Sequence, residues 1–299
     1  MAHNHHHEHG TKNIGITILL NLFITVAQII GGIISGSMAL LSDAAHNFSD
    51  VFSLIISYSA RKLAGKEQTE TKTFGYKRAE IFAAFINSSM LIGIAITLLV
   101  EGTRHLISPE KVNGNIVIWL AGLSILLNGL SVLLIKKDAE GSMNMKSAYL
   151  HLFTDMLTSI AVLAGGFAVK YFKLYWIDPA LSIAIAIYLI YMSWGIFKDS
   201  IKIFMAFTPE NINISEIANE ISKIEGVKNA HHIHVWQLDE HELLFEAHID
   251  TEKDISISEF EVILSKITSV LHDKNIHHFN IQPEFATTDN KSIIHKNFH

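Results

Sequence analysis

The sequence predicts an α-helical membrane protein with six transmembrane helices, followed by a small α+β cytosolic C-terminal domain of order αββαβ. Three observations predict it. The chain is 49% hydrophobic and only 17% charged, with a mean hydropathy of +0.30, an unusual balance for a soluble domain. Six apolar stretches are each long enough for the roughly 30 Å hydrocarbon core, which takes about 20 helical residues. After Phe207-Thr208-Pro209 the composition turns charged and no further span follows.

The spans are placed near 13–34, 39–61, 79–101, 114–135, 145–169 and 178–198. Gly31-Gly32 and Gly165-Gly166 suit close helix approach, because small residues let backbones meet. The loop RKLAGKEQTETKTFGYKRAE carries Arg61, Lys62, Lys66, Lys72, Lys77 and Arg78, and the loop after the fourth span adds Lys136, Lys137 and Lys146. The opposite loops hold only Arg104 and Lys111, then Lys170 and Lys173. This positive-inside bias puts both termini in the cytosol, and the even span number agrees. The predicted organisation is a His-rich N-terminal tail over 1–12, a six-span domain over 13–207, a cytosolic domain over 208–286 and a flexible tail over 287–299.

In the C-terminal domain, ISEIANEISKI (214–224) has the 3.6-residue period of an amphipathic helix. VKNAHHIHVWQL and ELLFEAHID read as two strands around an Asp239-Glu240-His241 turn. ISEFEVILSKITSVLHD is a second amphipathic helix and HHFNIQPE a third short strand. The expected product is a small antiparallel sheet backed by two helices.

Several function classes drop out at this level. Net charge is −6 with no long basic stripe, which argues against nucleic acid as a partner. Cysteine is absent, so any metal must be held by nitrogen and oxygen. The N-terminus MAHNHHHEHG lacks the basic-then-apolar layout of a cleaved signal peptide; its short His-rich tract suits a low-affinity metal collector, or a tail of no consequence.

The second span contains DAAHNFSD, residues 43–50, and charged or strongly polar side chains in hydrocarbon cost several kcal/mol unless partnered. His46 and Asp50 are four apart, so on a helix they share one face. The fifth span repeats the device in YLHLFTDML, with His151 and Asp155. No Lys or Arg accompanies either pair. Two helices that each offer one imidazole and one carboxylate supply four ligands, a set suited to tetrahedral zinc and poor for calcium or magnesium. Cobalt and cadmium fit the same ligand types. Asp43 follows Ser42 near its span's start, which leaves N-capping, a vestibule role and direct ligation open. Asn21, Gln28, Asn87 and Asn128 read as interhelical glue. One geometric demand follows. The two histidines both fall early in helices that run oppositely, so the fifth helix is expected to begin well before residue 145.

HNFSD on the second span, HLFTD on the fifth, FGYKRAEIFAAFIN entering the third, and HIHVW in the C-terminal domain together resemble the cation diffusion facilitator family over nearly the whole chain. The resemblance implies a homodimeric metal/proton antiporter, and the His-containing second-span motif is similar to the zinc-exporting branch. It also implies a transport site of His46, Asp50, His151 and Asp155, and a second, cytosolic zinc site at His231, His248, His277 and Glu284 that helps lock the dimer. Period-2 geometry puts His231 and His234 on opposite faces of their strand, and His234 and Trp236 are expected to pack. Two departures stand out. GKEQTETKTFG has no histidine, so a further loop metal site is expected to be missing. Ala206 stands where relatives tend to carry an acid before the Thr-Pro, so any charge contact to the C-terminal domain must use other groups.

Zinc requires neutral imidazole and ionised carboxylate, so loading the site expels the protons it held. The functional expectation is therefore a Zn²⁺/H⁺ antiporter that moves zinc out of the cytosol. Its setting is the lipid bilayer, most simply a bacterial cytoplasmic membrane. An intramembrane metalloprotease would need HExxH, and neither HNFSD nor HELLF (241–245) supplies it. The alternative is a membrane metal sensor or binding protein that does not transport. A sensor gains nothing from a site in lipid, which favours the carrier.

Overall fold

The computed structural model describes residues 6–139, 143–288 and 290–294; within its helices, the side chains of 6–18, 135, 137–139, 143–148, 150 and 151 lie outside the described set. Six long helices come first: α1 (His6–Ser35), α2 (Met38–Ala64), α3 (Ala79–Ile107), α4 (Gly114–Ala139), α5 (Met143–Phe172) and α6 (Ile177–Phe204). They are followed by α7 (Ile214–Ser222), β1 (Val227–Gln237), β2 (Leu243–Thr251), α8 (Ile257–Asp273) and β3 (His278–Glu284). The chain divides into two units, Met1–Ser59 with Ala83–Phe197, and Ala60–Phe82 with Lys198–His299.

In the first unit, α3, α4, α5 and α6 each contain a stretch long and apolar enough to cross a membrane. The described part of α1 is a shorter apolar helix over Leu19–Ser35. The hydropathy of α2 is lowered by Asp43, His46, Asn47 and Asp50, the residues that make it interesting. Large apolar side chains such as Trp119 and Tyr191 are about four-fifths exposed, as befits helices whose surroundings are lipid rather than water. The predicted glycine crossings are present. A Cβ on Gly31 would stand 1.9 Å from Leu120 Cδ1 of α4, one on Gly32 2.7 Å from Leu41 of α2, and one on Gly165 2.4 Å from Leu181 of α6.

The start of α2 is finished by another helix. Ser37 caps it, its hydroxyl accepting from the Leu40 N–H at 3.1 Å while its carbonyl accepts from Leu41. The remaining two orphan donors, Met38 and Ala39 N–H, go to Asp178 Oδ2 on α6 at 2.6 and 3.3 Å, and the Ser37 hydroxyl donates to Asp178 Oδ1 at 2.5 Å. With the Ser37 N–H donating to Gly32 O at 3.2 Å, the four N–H groups that this helix start leaves without an intrahelical partner, those of Ser37, Met38, Ala39 and Leu40, are accounted for. Ser42 Oγ lies 2.6 Å from Ser182 Oγ one turn further along α6. Asp178 precedes Pro179 and in sequence reads only as an acid in its own first turn, which is why its service to α2 is not legible there.

In the second unit the order αββαβ is as predicted, but the sheet is mixed. β1 and β2 are antiparallel, whereas β3 runs parallel to β2, with Asp250 opposite Glu284. The cause is α8: a 17-residue helix between β2 and β3 carries the chain back to the end from which β2 started. Apolar residues of the two short helices and of alternate strand positions, among them Ile217, Ile221, Val235, Phe245, Ile249, Ile267 and Leu271, form one buried core. Asn213 caps α7, and Ser256 with Glu259 forms a capping box at α8. Asp239 Oδ1 accepts from His241 and Glu242 N–H, both at 2.8 Å, to close the β1–β2 turn. The same turn receives Lys77 of the FGYKRAE loop, whose Nζ lies 3.5 Å from Glu242 and 3.9 Å from Asp239. Being half-exposed, the pairs are worth about 0–1 kcal/mol each.

Candidate metal centres

The α2 and α5 motifs meet in the first unit. His46 Nε2 lies 3.2 Å from Asp155 Oδ1, and His46 Nδ1 lies 3.8 Å from Asp50 Oδ2. Ligand atoms of His46, Asp50 and Asp155 all fall within 4.8 Å of one another, and Asp155 is fully buried. One imidazole is thus set between carboxylates from two helices. His151 lies on α5, but its side chain is outside the described residues.

Asp43 is not a helix cap. α2 begins at Met38, so Asp43 is inside it and fully buried, and its carboxylate accepts from Gln28 Nε2 at 2.6 Å, Thr158 Oγ1 at 3.1 Å and Ser159 Oγ at 3.1 Å. Gln28 Oε1 in turn accepts from Asn47 at 3.0 Å. Three helices are tied together around one carboxylate, just beside the ligand cluster. Gln28 is interhelical glue, as is Asn87, whose amide reaches Ser53 O and Ser57 Oγ at 3.4 Å. Asn128 instead bonds Ser124 of its own helix, and Ser124 bridges to Ser159 at 2.8 Å. Thr158 and Ser159 escape sequence reading because a hydroxyl in an apolar helix ordinarily bonds its own backbone.

These contacts settle the register. Asp43 meets Thr158 and Ser159, while His46 meets Asp155, so each step along α2 is a step back along α5. The helices meet in reversed order, with the His46 imidazole of α2 level with the Asp155 carboxylate of α5. No long extension of α5 is needed, and its described part runs from Met143.

The second cluster is on the face of the C-terminal sheet turned away from its helices. Ligand atoms of His231, His248 and Glu284 lie within 4.8 Å of one another; His231 Nε2 is 3.3 Å and His248 Nδ1 2.8 Å from the Glu284 carboxylate. His231 Nδ1 is 2.9 Å from Asn229 Oδ1, which selects the tautomer with a proton on Nδ1 and directs the Nε2 lone pair into the cluster. His277 stands outside it. It precedes β3, its Nε2 lies 3.2 Å from Asn275 Oδ1, and its ring lies against His272.

The opposite-face expectation for His231 and His234 is overturned by a bulge. His231 pairs with His248 and His234 with Glu246, so β1 spends one residue more than β2, with His232 at φ 51°. An extra residue shifts the alternation by one, and both histidines then share a face. The rings of His232 and His248 stack at 4.5 Å and those of His232 and His234 approach to 5.1 Å. Sequence analysis also missed Asp250 and Lys291, whose Nζ is 2.9 Å from both Asp250 Oδ1 and Glu284 Oε2.

Comparison with known proteins agrees with both halves. Residues 14–205 match the family described as the cation efflux transmembrane domain, and residues 209–286 match the cation efflux protein cytoplasmic domain. The chain is 36% identical over 296 residues to a cadmium, cobalt and zinc/H(+)-K(+) antiporter of Bacillus subtilis, covering 98% of this chain and 95% of that protein. It is 30% identical over 287 residues to the metal cation efflux system protein CzcD of Cupriavidus metallidurans, covering 95% and 90% respectively. It is 29% identical over 295 residues to the zinc transporter ZitB of Escherichia coli, covering 95% and 93%. With both domain families matched in order over almost the whole length, the chain belongs to the cation efflux family of integral membrane transporters, not to a family of enzymes.

Proposed function

We propose that the protein is a Zn²⁺/H⁺ antiporter that exports zinc from the cytosol through a site formed by His46, Asp50, His151 and Asp155. The observation that carries this is the convergence of His46, Asp50 and Asp155 from two helices inside the apolar unit. The crosswise register supports the fourth member, since position 151 is four residues back from Asp155 as Asp50 is four on from His46. Two imidazoles and two carboxylates are a tetrahedral zinc set, and cadmium and cobalt, which relatives' names include, are further cargo.

Coupling follows from competition for one lone pair. A proton on His46 is stabilised by the carboxylates of Asp155 and Asp50, and a metal ion needs the same nitrogen bare. Metal loading therefore releases protons, and reprotonation from the opposite side releases metal. Rigid-body rocking of the helices around the site exchanges access between the two sides. The loop charges favour cytosolic termini, and relatives from bacteria favour a bacterial cytoplasmic membrane. The matched C-terminal family, ZT_dimer, favours a homodimer. His231, His248 and Glu284 are the proposed ligands of a second zinc, a reading supported by the Asn229-fixed tautomer of His231.

The test is zinc flux into proteoliposomes under an imposed pH gradient, comparing the native chain with Asp155→Ala. Gradient-driven accumulation that disappears in the variant is the expected result. Zinc binding without flux in the native protein refutes the carrier and leaves a non-transporting sensor.

A further inference from the structure

We infer that Lys291 is a built-in cationic occupant of the C-terminal zinc site, so that zinc and the C-terminal tail compete for the same ligands. This rests on the reading of His231, His248 and Glu284 as zinc ligands.

The polar contacts of Lys291 Nζ include four within the domain: Asp250 Oδ1 at 2.9 Å, Glu284 Oε2 at 2.9 Å, Thr287 Oγ1 at 2.5 Å and His231 Nε2 at 3.4 Å. Two of the four partner atoms belong to the ligand cluster itself. His231 Nε2, with its lone pair inward, and Glu284 Oε2 are both acceptors, yet they stand 3.3 Å apart. The ammonium group lies within reach of both, at 2.9 Å from Glu284 Oε2 and 3.4 Å from His231 Nε2, where it serves two acceptors at once. A divalent ion bound by those atoms lies within bonding distance of them and cannot share the space with an ammonium group of like charge. Occupation is therefore exclusive.

The lysine is delivered by a docked segment. β1 is an edge of the three-stranded sheet, and on its open side the His232 and Ile233 N–H groups donate to Ser292 O at 3.2 Å and Ile293 O at 2.8 Å. Ile293 packs against the buried core of the domain. The β1 bulge at His232 is what turns these amides outward to the tail while His231 faces the cluster. Among the described residues, two backbone hydrogen bonds to β1 and the Ile293 side chain hold the segment beside Lys291, an attachment that loss of the Lys291 contacts can release. Zinc arrival thus frees residues 290–294 and uncovers the β1 edge; zinc loss lets the tail return.

The experiment uses the full chain in detergent, with Asp155→Ala and with His3, His5, His6, His7 and His9 changed to Ala as background, so that zinc binding reports the C-terminal site. Zinc affinity is measured by competition with a chelating dye, with and without Lys291→Met. In parallel, trypsin cleavage after Lys291 of the native chain is followed by mass spectrometry with and without zinc. The expected results are at least tenfold tighter zinc binding in Lys291→Met, and at least tenfold faster cleavage at Lys291 with zinc, lost in His248→Ala. If zinc binding survives His248→Ala unchanged, the C-terminal site reading fails and this inference with it. If His248→Ala abolishes binding but Lys291→Met binds no tighter, or zinc leaves the cleavage rate unchanged, competition by the tail alone is overturned.

Discussion

Replacing Asp178 by Ala tests whether the helix that carries half of the proposed transport site depends on a cap from α6. The Asp178 carboxylate is buried and accepts three bonds, two from the backbone donors Met38 and Ala39 and one from the Ser37 hydroxyl. Removal orphans both backbone donors, at about 1–3 kcal/mol for each that water fails to reach. A lost helix cap alone costs about 1 kcal/mol. With one donor rehydrated at the helix end, the expected loss for Asp178→Ala is about 3 kcal/mol. Asp178→Asn keeps a carbonyl acceptor and loses the charge facing the helix dipole, worth about 1 kcal/mol. Equilibrium unfolding in mixed micelles, with denaturing detergent as the variable, measures both. His46 lies eight residues from the helix start, about 12 Å along the axis, so the ligand cluster is far enough away to persist. Zinc affinity should fall by less than tenfold, the equivalent of about 1.4 kcal/mol. A destabilisation below about 0.5 kcal/mol in Asp178→Ala, the level of an ordinary surface substitution, would refute the cap. So would equal losses in the Ala and Asn variants.

Three further outcomes are expected. Gly166→Val should cost about 1–3 kcal/mol, because a Cβ there stands 2.9 Å from Val117 Cγ1 and 3.3 Å from the Ile118 backbone nitrogen; Gly93→Ala, with open space, should be neutral or stabilising in the same micelle unfolding assay. Gln28→Leu removes a donor to Asp43 and the acceptor for Asn47, and thermal unfolding in detergent should report a loss of about 1–3 kcal/mol; a neutral result would mean the network is not coupled to stability. Asn229→Ala frees the His231 ring and should weaken zinc at the C-terminal site about 10–100-fold while flux through the membrane site continues, read by dye competition and by proteoliposome uptake.

What the sequence made legible follows from periodicity. Spans need only length and apolarity, so all six long helices were foreseen, and the two amphipathic helices and three strands behind Pro209 follow from their 3.6 and 2 periods. The direction of β3 was readable too, since a helix between two strands implies a crossover and a parallel pair, which the expectation of an all-antiparallel sheet overlooked. The bulge at His232 could not be read, because it inserts one residue without changing composition. Lys291 was invisible for a different reason: a lone lysine in a polar tail acquires meaning only when the tail finds the edge of β1.

The membrane site shows how spacing can be right while the placement drawn from it is wrong. HxxxD on each of two helices fixes which residues share a face, independent of where the helices sit. Matching histidine to histidine then demanded a fifth helix displaced along its axis. The Asp43–Ser159 and His46–Asp155 contacts remove that demand, because antiparallel helices carrying the same motif meet with the order reversed. Reversal also serves the chemistry. His46 of α2 faces the Asp155 carboxylate of α5, so an ion held at the proposed site would bond to both helices at once. On the proposed function, any rocking that parts α2 from α5 would break metal bonds on one side, which would link release of the cargo to the movement that exposes it.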